Sequence, residues 1–313
     1  MAEALFWKVL ASLKERSPQF GEERRYVALP RRFKKVIYSM DSTKIQLVAN
    51  CMNWAKHRRR KAAAKMHVRL NLNTFLPGFV VIDPAKISDP KKARELCAAL
   101  QEGEIVTFDK AYNEFDHLHD LTDRGVTWVG RAKDNMAYEI VGERPASSNP
   151  DIRLDAEIRL TNPQTLADYP DSFRLVRAMV KLEGKEEKVE MEFITNNFDW
   201  AATSICDLYK ARWGIETFFK QMKQTLQLAD FLGHNENAVR WQIWTALLVY
   251  VLLRFIAHAG QWTHTFGRLF TLLRGVLWEC LVLFALVRAY GTASAPPRLT
   301  ARADQAYQPS LGI

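Results

Sequence analysis

The sequence predicts an α/β fold built on a mixed sheet. Three observations lead there. Short apolar runs of strand type recur at 36–40, 66–72, 79–82, 105–108 and 127–129. Residues at helical spacing lie before and after the fourth run, which gives the order β-β-β-α-β-α-β. Two of the runs end directly on an isolated aspartate, Asp41 and Asp109. In an open mixed sheet the C-terminal strand edge is where sites gather.

The elements follow in order. Residues 1–30 read as a short amphipathic helix (Leu5, Phe6, Val9, Leu10, Leu13) and a charged linker. The run 66–72 alternates apolar Met66, Val68, Leu70 and Leu72 with polar His67, Arg69 and Asn71. That period of two marks a half-buried strand. Pro77-Gly78 turns the chain into the third strand. Ala93, Leu96, Cys97 and Leu100 define a helix over 90–100, and a second helix covers 113–124. Residues 134–200 change character. Strands are expected at 152–160, 173–182 and 188–194, separated by Gly142, Asn149-Pro150, Asn162-Pro163, Tyr169-Pro170 and Gly184. This reads as a β-rich insertion of antiparallel type. Residues 201–258 return to helix, 259–290 carry further helices, and 291–313 suit a mobile tail. The expected organisation is therefore an N-terminal helix (1–30), a core split into 31–133 and 201–258, the insertion (134–200) and C-terminal helices.

Hydrophobic residues are 48% and charged residues 25% of 313, ordinary for a globular chain of one large or two ordinary domains. The net charge of +9 is uneven: residues 1–70 hold 17 Lys/Arg against 5 Asp/Glu, leaving 27 against 30 for the rest. A positive field beside Asp41 suits a polyanion. Cys51, Cys97, Cys206 and Cys280 form no C-x-x-C pair and read as reduced core thiols of a cytosolic protein. Met1-Ala-Glu-Ala does not open a signal peptide. The longest apolar run, 243–253, is short for a bilayer, so no membrane partner is expected.

The chemistry lies in three carboxylates. Asp41 and Asp109 close strands, and Glu216 sits in the helical segment 209–223. At about 100° per residue, Tyr209, Arg212, Glu216 and Lys223 share one face, joined by Lys220. Trp213, Ile215, Phe218 and Met222 take the opposite side. Carboxylates of this kind can cage hard divalent cations, and two such ions can clamp a phosphodiester displacement. The blander reading is a surface Arg212–Glu216 pair at i, i+4.

The spacing Tyr209-x2-Arg212-x3-Glu216-x6-Lys223 resembles the Y-x2-R-x3-E-x6-K signature of DDE transposases of the IS-four (insertion sequence four) family. Asp41-Ser-Thr and Asp109-Lys-Ala-Tyr112 resemble that family's first and second catalytic blocks. The resemblance covers about residues 36–258. It implies an RNase H-like core and DNA transposition by hydrolysis and strand transfer. It further implies Asp41, Asp109 and Glu216 as catalytic ligands of two Mg²⁺ or Mn²⁺ ions, and Tyr209, Arg212 and Lys223 as phosphate grips. The partners it implies are transposon-end and target DNA and a second copy in a synaptic dimer, in a bacterial, nucleoid-associated setting. Members often flip a base onto an aromatic ring; Trp128 and Trp200 are candidates, though core packing suits both better. The pattern places a DNA-recognition domain ahead of the core, whereas only 40 residues precede Asp41.

The run Lys56-His57-Arg58-Arg59-Arg60-Lys61, with Lys65, suits phosphate contact or a solvated hairpin. His117-Leu-His119 lacks ligand-spaced partners and reads as surface helix. Two other functions stay open at this point: a structure-specific nuclease or resolvase on the same core, and an inactive DNA-binding remnant.

Overall fold

The computed structural model describes residues 1–22, 33–47, 56–58, 61–86, 89–145, 147–181, 186–228, 233, 235–277 and 282–291. Arg59, Arg60, Cys51, Cys280 and the tail beyond 291 lie outside the described residues, as do the side chains of Arg58 and Lys61. The chain divides into two compact units, Met1–Val251 and Leu252–Ile313.

In the first unit, α1 (Ala2–Arg16) and α2 (Pro18–Glu22) precede the sheet. Its strands are β1 (Ile37–Leu47), β2 (Lys56–Arg58), β3 (Lys61–Asn71), β4 (Leu76–Pro84), β5 (Ile105–Phe108) and β6 (Thr127–Arg131). They continue as β7 (Tyr138–Glu143), β8 (Ile152–Leu160), β9 (Phe173–Lys181) and β10 (Lys188–Thr195). Helix α3 (Asp89–Cys97) leads to β5, α4 (Phe115–Asp123) joins β5 to β6, and α5 (Pro163–Asp168) joins β8 to β9.

The sheet runs β2-β3-β1-β5-β6-β10-β9-β8-β7, with β4 also on β3. β1 is antiparallel to β3 and parallel to β5, and β5 is parallel to β6. The core of the sheet thus reads β4-β3-β1-β5-β6, three antiparallel strands followed by two parallel ones. All four residues of β5 are buried, as a parallel strand covered on both faces requires. Residues 134–200 add four antiparallel strands to the same sheet, through β10 on β6. One buried cluster runs from Met40 and Phe108 through Trp128 to Ile158, Leu160 and Phe173. Trp128 is core, its indole N–H donating to Thr122 Oγ1 at 2.9 Å.

Several expectations need correcting. Tyr138–Glu143 forms strand β7 where the sequence reading has only the separator Gly142, which interrupts the alternation. The run Lys56–Arg58, expected as phosphate contact or a solvated hairpin, is strand β2, which its charged composition hides. Asn162-Pro163 was read only as a separator. In fact Asn162 caps α5, accepting from the Gln164 N–H, with Pro163 at the first helical position. His117 is not a surface residue: it is 1% exposed, with neither ring nitrogen hydrogen-bonded.

That burial has a pH consequence. Burial, followed by the nearby Arg94, pushes the His117 pKa down to about 4. The unfolded imidazole takes its proton near 6.5, so the folded state loses ground as pH falls from 6.5 towards 4. The loss is at most about 3 kcal/mol. Urea titrations at pH 7 and 4.5 should show the wild type losing more stability than His117→Leu; equal losses would contradict this.

Among the described residues five further helices follow: α6 (Ala202–Ala211), α7 (Gly214–Lys220), α8 (Glu236–Ala259), α9 (Phe266–Val276) and α10 (Leu283–Gly291). α8 has 24 residues and is long and apolar enough to cross a bilayer by length and composition, unlike the shorter run read from sequence. Val239, Ile243, Leu247 and Tyr250 form a fully buried stripe along it, and the Tyr250 hydroxyl donates to the Phe75 carbonyl at 2.8 Å. That is the pattern of a core helix. In the second unit, Leu269 and Val287 are fully buried.

Candidate active site

The parallel pairing of β1 with β5 ends at Met40 opposite Phe108. Asp41 and Asp109 are the next residues on these neighbouring strands, so the topology sets them side by side. Asp41 does not end its strand, contrary to the sequence expectation. β1 continues to Leu47 because β3 still pairs with it after β5 has stopped. Asp109 leaves β5 and caps a tight 3₁₀ turn over Lys110–Tyr112, anchored by buried Tyr112. Each aspartate accepts a 2.7 Å hydrogen bond from the next backbone N–H, Ser42 for Asp41 and Lys110 for Asp109.

The floor under Asp109 is tight. A Cβ on Gly130 of β6 would stand 2.6 Å from the Phe108 ring and 3.1 Å from Asn113 Oδ1. Gly130→Ala is therefore expected to cost about 1–3 kcal/mol of overpacking strain. Chemical denaturation checks this, and an unchanged midpoint would contradict it.

Segment 209–223 is not one continuous helix. The N–H groups of Arg212 and Trp213 bond three residues back, to Tyr209 and Lys210, and α6 ends there. A π turn over Gln221–Thr225 follows α7. The polar residues therefore do not form one uniform stripe. Tyr209 and Arg212 point inward, 4% and 6% exposed, whereas Glu216 and Lys220 are exposed and Lys223 is half-buried. Ile215, Phe218 and Met222 are fully buried beneath them.

Tyr209 and Arg212 reach the acids. The Tyr209 hydroxyl donates to Asp109 Oδ1 at 3.3 Å. Burial pushes its pKa to about 12, so the phenol stays a donor. Arg212 Nη1 lies 3.2 Å from Asp41 Oδ2, and Nη2 lies 2.9 Å from Glu216 Oε1. Its guanidinium sits 5.5 Å from the Tyr209 ring centre. The Ser39 hydroxyl, on the Asp41 face of β1, donates to the Arg212 carbonyl at 3.4 Å and ties the helix break to the strand. Burial raises the Asp41 pKa to about 6, offset by Arg212 and the Ser42 N–H and reinforced by Asp109 and Glu216. The three acids are thus close enough to sense one another.

Among the described residues, no three His, Cys, Asp or Glu side chains stand ready-arranged around a cation. The donor set nevertheless suits one: hard carboxylate oxygens whose mutual repulsion a divalent ion would relieve. Lys65 is elsewhere. It stands opposite Lys44 and Asp83, one position out of phase with Asp41, so strand alternation puts it on the other sheet face, 5% exposed. This takes Lys65 out of the expected phosphate-binding set. Trp200 is half-buried and packs edge-on against Phe33. Sequence reading missed the Tyr209–Asp109 and Arg212–Asp41 bonds; only the i, i+4 spacing of Arg212 and Glu216 was visible.

A family model described as Transposase DDE domain matches residues 32–252. The chain belongs to this transposase DDE family. Members of this family are transposases that work with divalent metal ions, and the chain spans 58–68% of the length of the three relatives that follow. This DDE chain is 31% identical over 253 residues to a transposase named y4zB from Sinorhizobium fredii, covering 80% of this chain and 68% of the other. It is 29% identical to a transposase of insertion sequence element IS5377 from Geobacillus stearothermophilus, covering 72% and 58%. It is 26% identical to one of element IS4SA from Synechocystis, covering 70% and 60%. A piggyBac transposase synaptic complex with hairpin DNA aligns over 83% of this chain and 58% of that one, at 10% identity and a TM-score of 0.47.

Proposed function

We propose that this DDE chain hydrolyses phosphodiesters at insertion-sequence ends and joins the freed 3′-OH to target DNA. Asp41, Asp109 and Glu216 are the catalytic and metal-binding residues in this reading. The observation that supports it is the pair of aspartates following adjacent parallel strands, with Asp41 joined to Glu216 through the Arg212 guanidinium and Asp109 held by the Tyr209 hydroxyl. Two Mg²⁺ ions, or Mn²⁺, would activate water or a 3′-OH and stabilise the leaving oxygen.

The protein's own contribution is placement. Backbone N–H groups of Ser42 and Lys110 fix the aspartates, and the Tyr209 hydroxyl holds Asp109. Above pH 6 the Asp41 carboxyl is ionised and able to bind a cation. Exposed Lys220 and half-buried Lys223 flank Glu216, where they would meet the phosphates of the DNA end. The basic run 56–61 would steer the duplex inward. A homodimer would pair two ends, in the bacterial cytoplasm at the nucleoid.

The test is incubation of the purified protein with DNA carrying the presumed ends, with Mg²⁺ or EDTA. Metal-dependent nicking followed by strand joining is expected. Cutting without joining would mean a nuclease, and binding without either would mean an inactive remnant.

A further inference from the structure

We propose that Tyr209 and Arg212 are positioning residues that assemble the three carboxylates before any metal binds, with Arg212 standing where a divalent cation would bridge Asp41 and Glu216. This rests on the reading of those acids as metal ligands.

Every one of the three acids is engaged by this couple: Asp109 by the phenol, Asp41 and Glu216 by the two ends of the guanidinium. Three neighbouring carboxylates would otherwise repel one another and swing apart. A planar fork meeting two acids supplies the opposite charge with fixed geometry.

The fork is not a permanent structural fixture, as comparison with Arg174 shows. All three guanidinium nitrogens of Arg174 are bonded: Nε and Nη2 to Asp155, both at 2.7 Å, and Nη1 to the carbonyls of Asn197 and Trp200. Arg212 is also buried, though at 6% exposure less deeply than Arg174 at 1%, and its Nε has no hydrogen-bond partner among the described residues. Its Glu216 contact is 58% exposed on the acid side, so solvent or a cation reaches it. A guanidinium held at its two tips and against the Tyr209 ring, with its Nε unengaged among the described residues and one partner carboxylate open to solvent, is placed to be displaced.

Guanidinium and metal therefore compete for the same oxygens. By linkage, removing the competitor tightens metal binding, even though it loosens the metal-free protein. A purely structural arginine would behave the opposite way: its loss would scatter the acids and weaken metal binding.

The experiment is Mn²⁺ titration calorimetry on the full chain, with thermal melting in EDTA and in Mn²⁺. Wild type, Arg212→Gln, Arg212→Lys and Asp109→Ala are compared. Arg212→Gln is expected to bind Mn²⁺ about tenfold tighter than wild type, the scale of one lost competing charged bond. It should melt several degrees lower in EDTA, with the gap closing as Mn²⁺ is added. Arg212→Lys, which keeps the charge but not the fork, should bind about threefold tighter. Equal or weaker Mn²⁺ binding by a folded Arg212→Gln overturns the proposal. Should that variant not fold, Arg212→Lys decides by the same criterion. Mn²⁺ binding unchanged in Asp109→Ala is a different result, because it removes the metal-ligand reading itself.

Discussion

Glu216→Ala and Asp109→Ala should each lose DNA cleavage by at least about a thousandfold, roughly 4 kcal/mol of transition-state stabilisation. On the proposed reading, deleting one of these carboxylates would remove both a ligand of the cation and the orientation of its neighbours, which is why the effect exceeds that of an ordinary contact. Glu216 gives the cleaner test. Its side chain is 58% exposed and its bond is a single i, i+4 pair, so the fold should change by no more than about 0.5 kcal/mol. Asp109 also accepts from Tyr209 and Lys110, so its removal perturbs the turn over Lys110–Tyr112. Cleavage of end DNA in Mg²⁺, alongside an equilibrium DNA-binding measurement, separates chemistry from binding. Wild-type cutting rates in both variants would end the assignment.

Asp155→Ala should be the most damaging single change far from that chemistry, costing about 3–5 kcal/mol. Arg174 is 1% exposed and grips Asp155 through two parallel bonds. Its remaining bonds close off the carbonyls that lead from β10 into α6. Without Asp155 the guanidinium stays buried with one pole unpaired. The double variant Asp155→Leu with Arg174→Met should recover part of the loss, since an apolar pair leaves no stranded charge. Urea denaturation of the three proteins checks this. A single variant as stable as wild type, or a double variant worse than the single, would contradict the account.

Much of the fold was legible locally. The wholly apolar Ile105–Phe108 is an observed strand, because burial on both faces leaves a direct pattern in side-chain polarity. The alternation in 66–72 also marks a strand, ending at Asn71, but not a half-buried one: His67 and Arg69 are buried along with their apolar neighbours, because both faces of β3 are covered. Harder segments failed for identifiable reasons. Cations in Lys56–Arg58 and Gly142 in β7 hide strands whose pairing is supplied by a neighbour, not by their own composition. β1 outruns its apolar stretch because β3 continues alongside. His117 is polar by type yet buried by position, and no local signal marks such a residue.

The site divides in the same way. The primary structure alone determined which acids exist, their order, and the spacing that ties Arg212 to Glu216, because helix periodicity acts over a few residues. Only the tertiary structure decided that Asp41 and Asp109 become neighbours, since that depends on parallel pairing of strands more than 60 residues apart. It alone turned Tyr209 and Arg212 inward onto the acids and carried Lys65 to the far face of the sheet. A break in a helix and the register of a strand are set by packing, and each reassigns every side chain that follows it.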